Sequence, residues 1–538
     1  MSLLALLLAC PPANDDNPST PDDSSPAPDD TELGVVSDCE VLGLPTRDFD
    51  ATEPEKWQRH QPSGDFTVTL RGGAEWTLSE NWSGCDNYVF LPHYFALPNG
   101  DSWWTTGVKE LLDRSDKNVH YFFIVPGLSN PDADEYGALM EGEIAKAFEE
   151  MDGEEVAWWT DRLHVVGGPS LAQVGAPREV FRSDVGLYGF GVDRYQKIRS
   201  LGNVAAVEAY NQTQDWPWED RLYSSAVEAT YWNYEVRRDE EMAQWEWTTV
   251  NVVSPGDDPV AEYVDAQVEI PDISSFDTLR LDIRIECPSR SKQEIGNCGA
   301  WDYLAHAWLW DEETESWLEM GRFITTYHRE SRWIVDATHA IPWLEGGGTR
   351  TMRFSWAPSW NTQPSHITFD LHFADQGKGL RPVETIPLWT GGSFNAAYND
   401  DRPPVDVEIP ADAEKVELRV VTTGHGADTD NCAEFCDHSH HFTVGGTTWD
   451  QEFPAVGQED GCSSRVHEGV VPNQAGSWWF GRGGWCPGEK VHPFIADVTG
   501  ELTLGQTNAF AYNAQWNNKD PQDGLGNIVL YSWAVVYK

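Results

Sequence analysis

The 538-residue chain carries 36 Lys and Arg against 88 Asp and Glu, a formal charge of -52. That balance argues against nucleic acid or another polyanion as partner, because few cations are available to displace its counterions. A hydrophobic fraction of 40%, with 27 Trp, is ample for packed cores in about three domains. No apolar run reaches the ~18–20 residues of a membrane-spanning helix.

The chain is apolar from Leu3 to Ala9 and then reaches Cys10 in the string Leu7-Leu8-Ala9-Cys10. A short apolar run with a small residue before a cysteine resembles a bacterial lipoprotein signal, although nothing basic precedes Leu3. On that reading residues 1–9 are a signal segment and Cys10 is acylated. Within residues 10–35, the stretch 11–33 is almost entirely Pro, Asp, Ser, Asn and Ala. They can bury little apolar surface and repel one another, which predicts a disordered tether. Lipid, leash and folded domains predict export to a bacterial cell envelope or surface, with the lipid anchor as the membrane contact.

Cysteine usage agrees with export. Setting Cys10 aside leaves eight: Cys39, Cys85, Cys287, Cys298, Cys432, Cys436, Cys462 and Cys486. An even number is expected in an oxidising compartment. Nearness in sequence favours Cys287 with Cys298, Cys432 with Cys436, and Cys462 with Cys486. Spacing alone does not fix connectivity, and the relation of Cys39 to Cys85 stays open. Zinc competes as a reading, since His438, His440 and His441 follow Cys432 and Cys436. A zinc site usually has Cys-x2-Cys spacing and a cytosolic address, so no metal is expected.

Residues 36–215 have mixed periodicity. Tyr88 to Leu91, Val119 to Val125 and Leu163 to Val166 read as buried strands, and Glu143 to Met151 has helical spacing. Alternation of this kind predicts an α/β layer. The run Phe190 to Arg199 resembles the late strand-turn-strand of thioredoxin-like domains, and Gly64 to Leu78 a peroxiredoxin-type opening. After the first core strand such domains place a Cys-x-x-Cys at a helix start, where the dipole lowers a thiol pKa. Here that stretch is His93-Tyr94-Phe95-Ala96-Leu97-Pro98, without cysteine. The expectation is a redox-dead accessory domain.

Beyond residue 236 the texture changes to short alternating strands between turn clusters, among them Ala266 to Ile270, Leu279 to Ile285, His366 to Phe373, Val405 to Ile409, Val416 to Val421 and Ile528 to Tyr531. Their spacing predicts two antiparallel β-sandwiches, over residues 236–380 and 381–538.

Two segments carry candidate chemistry. One is Glu286-Cys287-Pro288 followed by Cys298-Gly299-Ala300-Trp301-Asp302 and the run Gly321-Arg322-Phe323-Ile324-Thr325. The other is Cys432-Ala433-Glu434-Phe435-Cys436, followed by Asn473-Gln474 and Arg482-Gly483-Gly484-Trp485-Cys486-Pro487-Gly488. Each sets one carboxylate in or beside a candidate disulfide loop flanked by aromatics. Partial desolvation there raises a carboxyl pKa towards the range useful for proton transfer. Two such acids and an arginine suit amide hydrolysis, one activating water while the cation offsets developing charge.

These motifs, in this order, resemble the bacterial peptide:N-glycosidase F family over residues 236–538. The resemblance implies two eight-stranded antiparallel jelly rolls in tandem, so that the whole is mainly β with an α/β thioredoxin-like domain in front. It implies the three local disulfides and an amidase that removes N-linked glycans from glycoproteins, converting Asn to Asp. Asp302 would be the principal catalytic aspartate, Glu434 a second acid acting through a bridging water, and Arg482 an arginine at the bond to be cleaved. Trp301, Trp360 and Trp485 would bind substrate. The implied partner is an N-glycosylated protein or glycopeptide, the enzyme a monomer, and no cofactor is required.

Two positions depart from the family. Tyr303 stands where an arginine follows the aspartate, and the segment Phe354 to Ser359 lacks a third glutamate. Loss of that acid keeps a non-catalytic glycan-binding module in play. A second alternative is a copper monooxygenase on the same paired fold, with imidazoles from His438, His440 and His441. Neighbouring His440 and His441 would point to opposite faces of a strand, so only alternate ones could converge.

Overall fold

The computed structural model describes residues 37–93, 104, 107–125, 133–168, 173–186, 188–204, 222–426 and 432–538. The candidate signal segment, Cys10, the tether and residues 94–98 lie outside the described residues.

The N-terminal unit opens with a short helix, α1 (Asp38–Val41), and a hairpin, β1 (Thr67–Thr69) with β2 (Glu75–Thr77). Its sheet is built from β3 (Asn87–Pro92), β4 (Val119–Ile124), β5 (Leu163–Val166), β6 (Phe190–Val192) and β7 (Ile198–Ser200), in the order β5-β4-β3-β6-β7. The first three run parallel, and β6 and β7 add an antiparallel edge. All six residues of β4 are buried, as expected of a strand covered on both faces. Helices α2 (Val108–Arg114), α3 (Ala133–Glu149), α4 (Gly153–Thr160) and α5 (Ala176–Arg182) lie between the strands in sequence. Asp152 caps α4, its side chain accepting from the amides of Glu154 and Glu155 at 3.0 and 2.9 Å. Cys39 and Cys85 form a disulfide, which settles the pairing left open by spacing.

One boundary differs from the sequence expectation. Residue 236 falls inside a helix, α6 (Ala226–Ala243), whose Ala226, Ala229, Tyr231 and Trp232 pack into the N-terminal core. The N-terminal unit therefore continues to Ala243. The periodicity of β-strands could not reveal this, because α6 is polar on much of its surface.

The first sandwich comprises β8 (Thr248–Val253), β9 (Tyr263–Ile270), β10 (Thr278–Glu286), β11 (Leu304–Asp311), β12 (Ser316–Ile324), β13 (Ser331–Asp336), β14 (Gly348–Ser355) and β15 (His366–Ala374). One sheet has the order β13-β10-β15-β8, the other β12-β11-β14-β9. The second sandwich comprises β16 (Pro382–Ser393), β17 (Val405–Glu408), β18 (Lys415–His425), β19 (His438–Val444), β20 (Thr447–Glu452), β21 (Phe494–Asp497), β22 (Thr507–Trp516) and β23 (Asn527–Tyr537). Its sheets run β16-β23-β18-β21 and β17-β22-β19-β20. Every strand pair in both is antiparallel. The protein is thus mainly β, with two eight-stranded jelly rolls.

Alternation in β10 shows why the layers form. Leu279, Leu281, Ile283 and Ile285 enter the sandwich core, while Arg280, Asp282 and Arg284 occupy the other face. That charged face is not left to water. Arg332, opposite it on β13, pairs with Asp282 at 2.6 Å and with Asp239 of α6 at 2.9 Å.

The two sandwiches share a small apolar core of Ile324, Val421, Trp485, Val491, Trp533 and Val535. Beside it Arg322 bonds Glu319 at 2.8 Å and crosses to the Val529 carbonyl at 2.6 Å. The Arg322 guanidinium and His306 hold the buried Glu319 carboxyl down at about 2. This seam fixes the two halves of the site relative to each other.

Candidate active site

Asp302 lies in the loop between the Cys287–Cys298 disulfide and β11. Backbone bonds fix that loop on both sides of the carboxylate. The Trp301 amide donates to Gln363 Oε1 at 2.7 Å, the Trp301 carbonyl accepts from Thr325 Oγ1 at 2.6 Å, and the Tyr303 amide donates to the same Oγ1 at 2.8 Å. Gly299 is required by close approach, since a Cβ there would sit 2.6 Å from Gln363 Oε1.

Glu434 lies inside the Cys432–Cys436 disulfide loop. Gly483 ties that loop down, its amide donating to the Glu434 carbonyl at 2.8 Å and its carbonyl accepting from Gly424 at 2.7 Å. Arg482 stands next to this anchor. It is fully buried, and its Nη1 donates to the carbonyls of Ser477 at 3.1 Å and Phe480 at 2.9 Å.

Those carbonyls aim the remaining guanidinium edge at both acids. Arg482 Nη2 is 3.5 Å from Asp302 Oδ2 and Nε is 3.5 Å from Glu434 Oε1. At the outer limit of hydrogen bonding, these contacts hold charge nearby without saturating either carboxylate. Burial raises the Asp302 pKa, against the opposing pull of Arg482. Burial also raises that of Glu434, with the Asp302 charge adding to it and Arg482 opposing. Both acids therefore keep a proton to higher pH than an exposed carboxylate would.

The aromatic residues divide into wall and floor. Trp360 is 78% exposed and Trp301 50%, so each offers a face to a ligand. Tyr303, in the position of the absent arginine, supports this wall: its ring meets Trp360 edge-on at 5.9 Å and its hydroxyl accepts from Asn361 Nδ2 at 2.6 Å. Trp485 is instead buried. Its indole donates to the Gly424 carbonyl at 2.8 Å and its ring lies 4.9 Å from the Arg482 guanidinium carbon. It braces Arg482 and offers no open face. Ser355, in the strand that lacks the third glutamate, accepts from the Trp308 indole at 3.2 Å.

Tyr327, which sequence reasoning did not single out, feels the charges of Asp302, Arg482 and Glu434. It lies two residues beyond the Gly321 to Thr325 run, so the signal was adjacent but carried no charge pattern. The Asn473-Gln474 step now has a purpose as well: Gln474 Oε1 accepts from the Tyr327 amide at 2.9 Å.

The histidines do not converge on an open metal position. His438 and His440 share the buried face of β19, as alternation requires, and His438 Nδ1 meets His440 Nε2 at 3.0 Å. His440 Nδ1 is taken by the Tyr512 hydroxyl at 2.7 Å. His441 faces the other way and pairs with Asp450 at 2.6 Å. The fourth disulfide, Cys462–Cys486, spans the segment between Arg465 and Trp485.

Residues 393–535 match the family model for the C-terminal domain of peptide-N-glycosidase F. The chain is 25% identical over 269 residues to peptide-N(4)-(N-acetyl-beta-D-glucosaminyl)asparagine amidase F of Elizabethkingia miricola, covering 46% of this chain and 70% of that protein. Over its C-terminal part the chain is similar to the peptide-N-glycosidase F family. Among solved structures it is similar to the glycosylasparaginase PNGase F from Flavobacterium meningosepticum, with 20% identity and a TM-score of 0.42, over 54% of this chain and 96% of that one. A second crystal structure of the same amidase type gives 20% identity and a TM-score of 0.43, over 55% and 96% of the two chains. The relationship supports an enzyme of the amidase kind. Four disulfides point to an extracellular protein, and among the described residues no helix is long and apolar enough to cross a membrane.

Proposed function

We propose that this protein is a peptide-N4-(N-acetyl-β-glucosaminyl)asparagine amidase that removes N-linked glycans from glycoproteins and glycopeptides. The observation that carries the reading is the placement of two carboxyl groups from different sandwiches at 3.5 Å from one buried guanidinium. Burial makes both acids fit for proton transfer, and Arg482, held by backbone carbonyls, is fixed before substrate arrives.

In this mechanism Asp302 contacts the first sugar at the scissile linkage and takes a proton from the attacking water. Water oxygen bonds to the side-chain carbonyl carbon of the acceptor Asn. Arg482 offsets the charge that builds beside it, and Glu434 acts through a bridging water to return a proton to the departing nitrogen. The C–N bond breaks, leaving Asp on the peptide and a glycosylamine. Trp301 and Trp360 supply flat apolar faces for the sugars, while Trp485 supports Arg482 from beneath. No cofactor enters any step.

The N-terminal unit takes no part in the chemistry on this reading. Three parallel strands followed by an antiparallel pair support its thioredoxin-like assignment. We propose that the enzyme is an exported monomer, held at the cell surface through Cys10.

Ser355 in place of an acid favours a second reading, a glycan-binding surface module. Incubation with a denatured glycoprotein, followed by mass spectrometry of the acceptor peptides, separates the two. Conversion of Asn to Asp supports the amidase; bound but uncleaved glycoprotein under permissive conditions would overturn it.

A further inference from the structure

Two segments meet behind the site, and a third residue from the N-terminal unit joins them. Tyr327 is gripped along its backbone by the 472–476 segment: its amide donates to Gln474, and its carbonyl accepts from the Ala475 amide at 3.2 Å. Its ring lies so close to Gly476, at φ +71°, that a Cβ there would come within 2.9 Å of it. Gln474 is itself fixed, donating to the carbonyls of Val471 and Pro487 at 2.7 Å each.

Two residues further on, Arg329 closes the other end of this clamp. Its Nη1 donates to the Pro472 carbonyl at 2.7 Å and to Glu228 Oε1 at 2.9 Å, and Nη2 reaches Glu228 Oε2 at 3.2 Å. Its Nε bonds Glu294. Glu228, on α6, has no exposed surface. The same Oε1 accepts from Asn473 Nδ2 at 2.9 Å and from the Gly202 amide at 3.1 Å. Asn203 then donates its amide to the Asn473 carbonyl at 2.5 Å.

We propose that Glu228 is a positioning residue for Asp302, through which the N-terminal unit sets the activity of the site. Glu228 locks Arg329 to Asn473, and the locked pair holds the 327–329 and 472–476 segments in register. The first adjoins Thr325, whose hydroxyl bonds the backbone on both sides of Asp302, and the second adjoins Ser477, whose carbonyl holds Arg482. The proposal rests on the amidase reading. A buried carboxylate holding a guanidinium fork and an amide together is costly to disturb, so the register has one state rather than several. The sequence could not show this link. Glu228 and Asp302 are separated by a domain boundary, and α6 reads as an ordinary polar helix.

The test compares Glu228→Gln with Glu235→Gln in the full chain. Glu235 is a second, half-buried acid of the same helix, paired with Arg199 at 2.6 Å and Arg238 at 3.8 Å and remote in the bonding network from Arg329. Glu228→Gln should lower kcat about tenfold or more, since small misplacements at a reacting group are expensive, with KM within about twofold. The acid limb of its kcat profile should move to higher pH, because a displaced Asp302 loses the nearby Arg482 charge that favours its ionised form. Glu235→Gln should lower the melting temperature while leaving kcat and that limb where they were.

A Glu228→Gln enzyme with wild-type kcat and pH limb would overturn the proposal, as would equal kinetic effects from both variants. Should Glu228→Gln not fold, Arg329→Lys keeps the charge but loses the fork, and the same two readouts decide. Absence of glycan release by the wild type would overturn the amidase reading instead, which keeps the two failures distinguishable.

Discussion

Two buried arginines, each flanked by two acids, do opposite work in this molecule. Arg329 is saturated: Glu228, Glu294 and the Pro472 carbonyl occupy its donors at bonding distance. Arg482 spends its strongest bonds on the carbonyls of Ser477 and Phe480 and stands 3.5 Å from both carboxylates. Acids around a saturated guanidinium lock segments in place; acids held beside a backbone-anchored one retain lone pairs and an adjustable proton. Charge count alone does not separate the two sites. Bond saturation does.

Substitutions at the acids of the Arg482 site break the comparison most sharply. Asp302→Asn and Glu434→Gln keep shape but remove the titrating group, so each should lower glycan release ~10²–10⁴-fold. Neither variant should melt below the wild type. Near-wild-type turnover in either variant, measured on a defined glycopeptide, would remove that residue from the mechanism.

Arg329→Met should differ by costing stability as well as turnover. Leaving Glu228 and Glu294 buried without their partner should cost about 3–5 kcal/mol of stability, read as a large fall in denaturant midpoint. An Arg329→Met protein as stable as wild type would mean that the network contributes nothing.

The disulfides sharpen the contrast on a smaller scale. Cys432–Cys436 spans a sequence separation of 4 and Cys462–Cys486 one of 24. Loop-closure entropy gives about 2 kcal/mol for the short loop and about 3.5 for the long one. Changing Cys432 and Cys436 to Ser should therefore impair turnover more than melting, because it frees Glu434. Changing Cys462 and Cys486 should lower the melting temperature more. A short-loop variant that melts far lower yet keeps full turnover would contradict a positioned Glu434.

The smallest effect concerns pH. Asp302 and Glu434 have raised pKa values in the fold, so the folded state binds protons more tightly than the unfolded chain. Stability linked to these groups is gained as pH falls through the folded values and lost as pH rises above them. Asp302→Asn should raise the melting temperature by about 2–4 °C at neutral pH for each 1 kcal/mol of relieved burial. That gain should vanish in acid, where Asp302 is protonated. A constant difference at all pH values would show that Asp302 burial carries no cost.

How much of this was legible in sequence depended on whether a residue acts through a local motif. Asp302, Glu434 and Arg482 sit beside cysteines and glycines that mark tight loops, and the structure brings all three together. The sandwich strands were readable because alternation in segments such as Leu279 to Ile285 reports a half-buried sheet directly. Tyr327 was not readable, since its role comes from a register set by Gln474 and Gly476 well over a hundred residues away. Trp485 looked like Trp301 and Trp360 in sequence; only packing distinguishes a buried brace from an exposed wall. The extent of the N-terminal unit was hidden for a related reason, because α6 packs Glu228 and Glu235 against arginines that no short window contains.

The central claim is that the site hydrolyses the amide between glycan and Asn. Turnover of a defined N-glycopeptide in heavy-oxygen water tests it directly. The account predicts heavy oxygen in the side-chain carboxyl of the new Asp, with an unlabelled glycosylamine released and the label lost in Asp302→Asn. Heavy oxygen on the sugar, with a GlcNAc stub left on Asn, or no release at all, would contradict it.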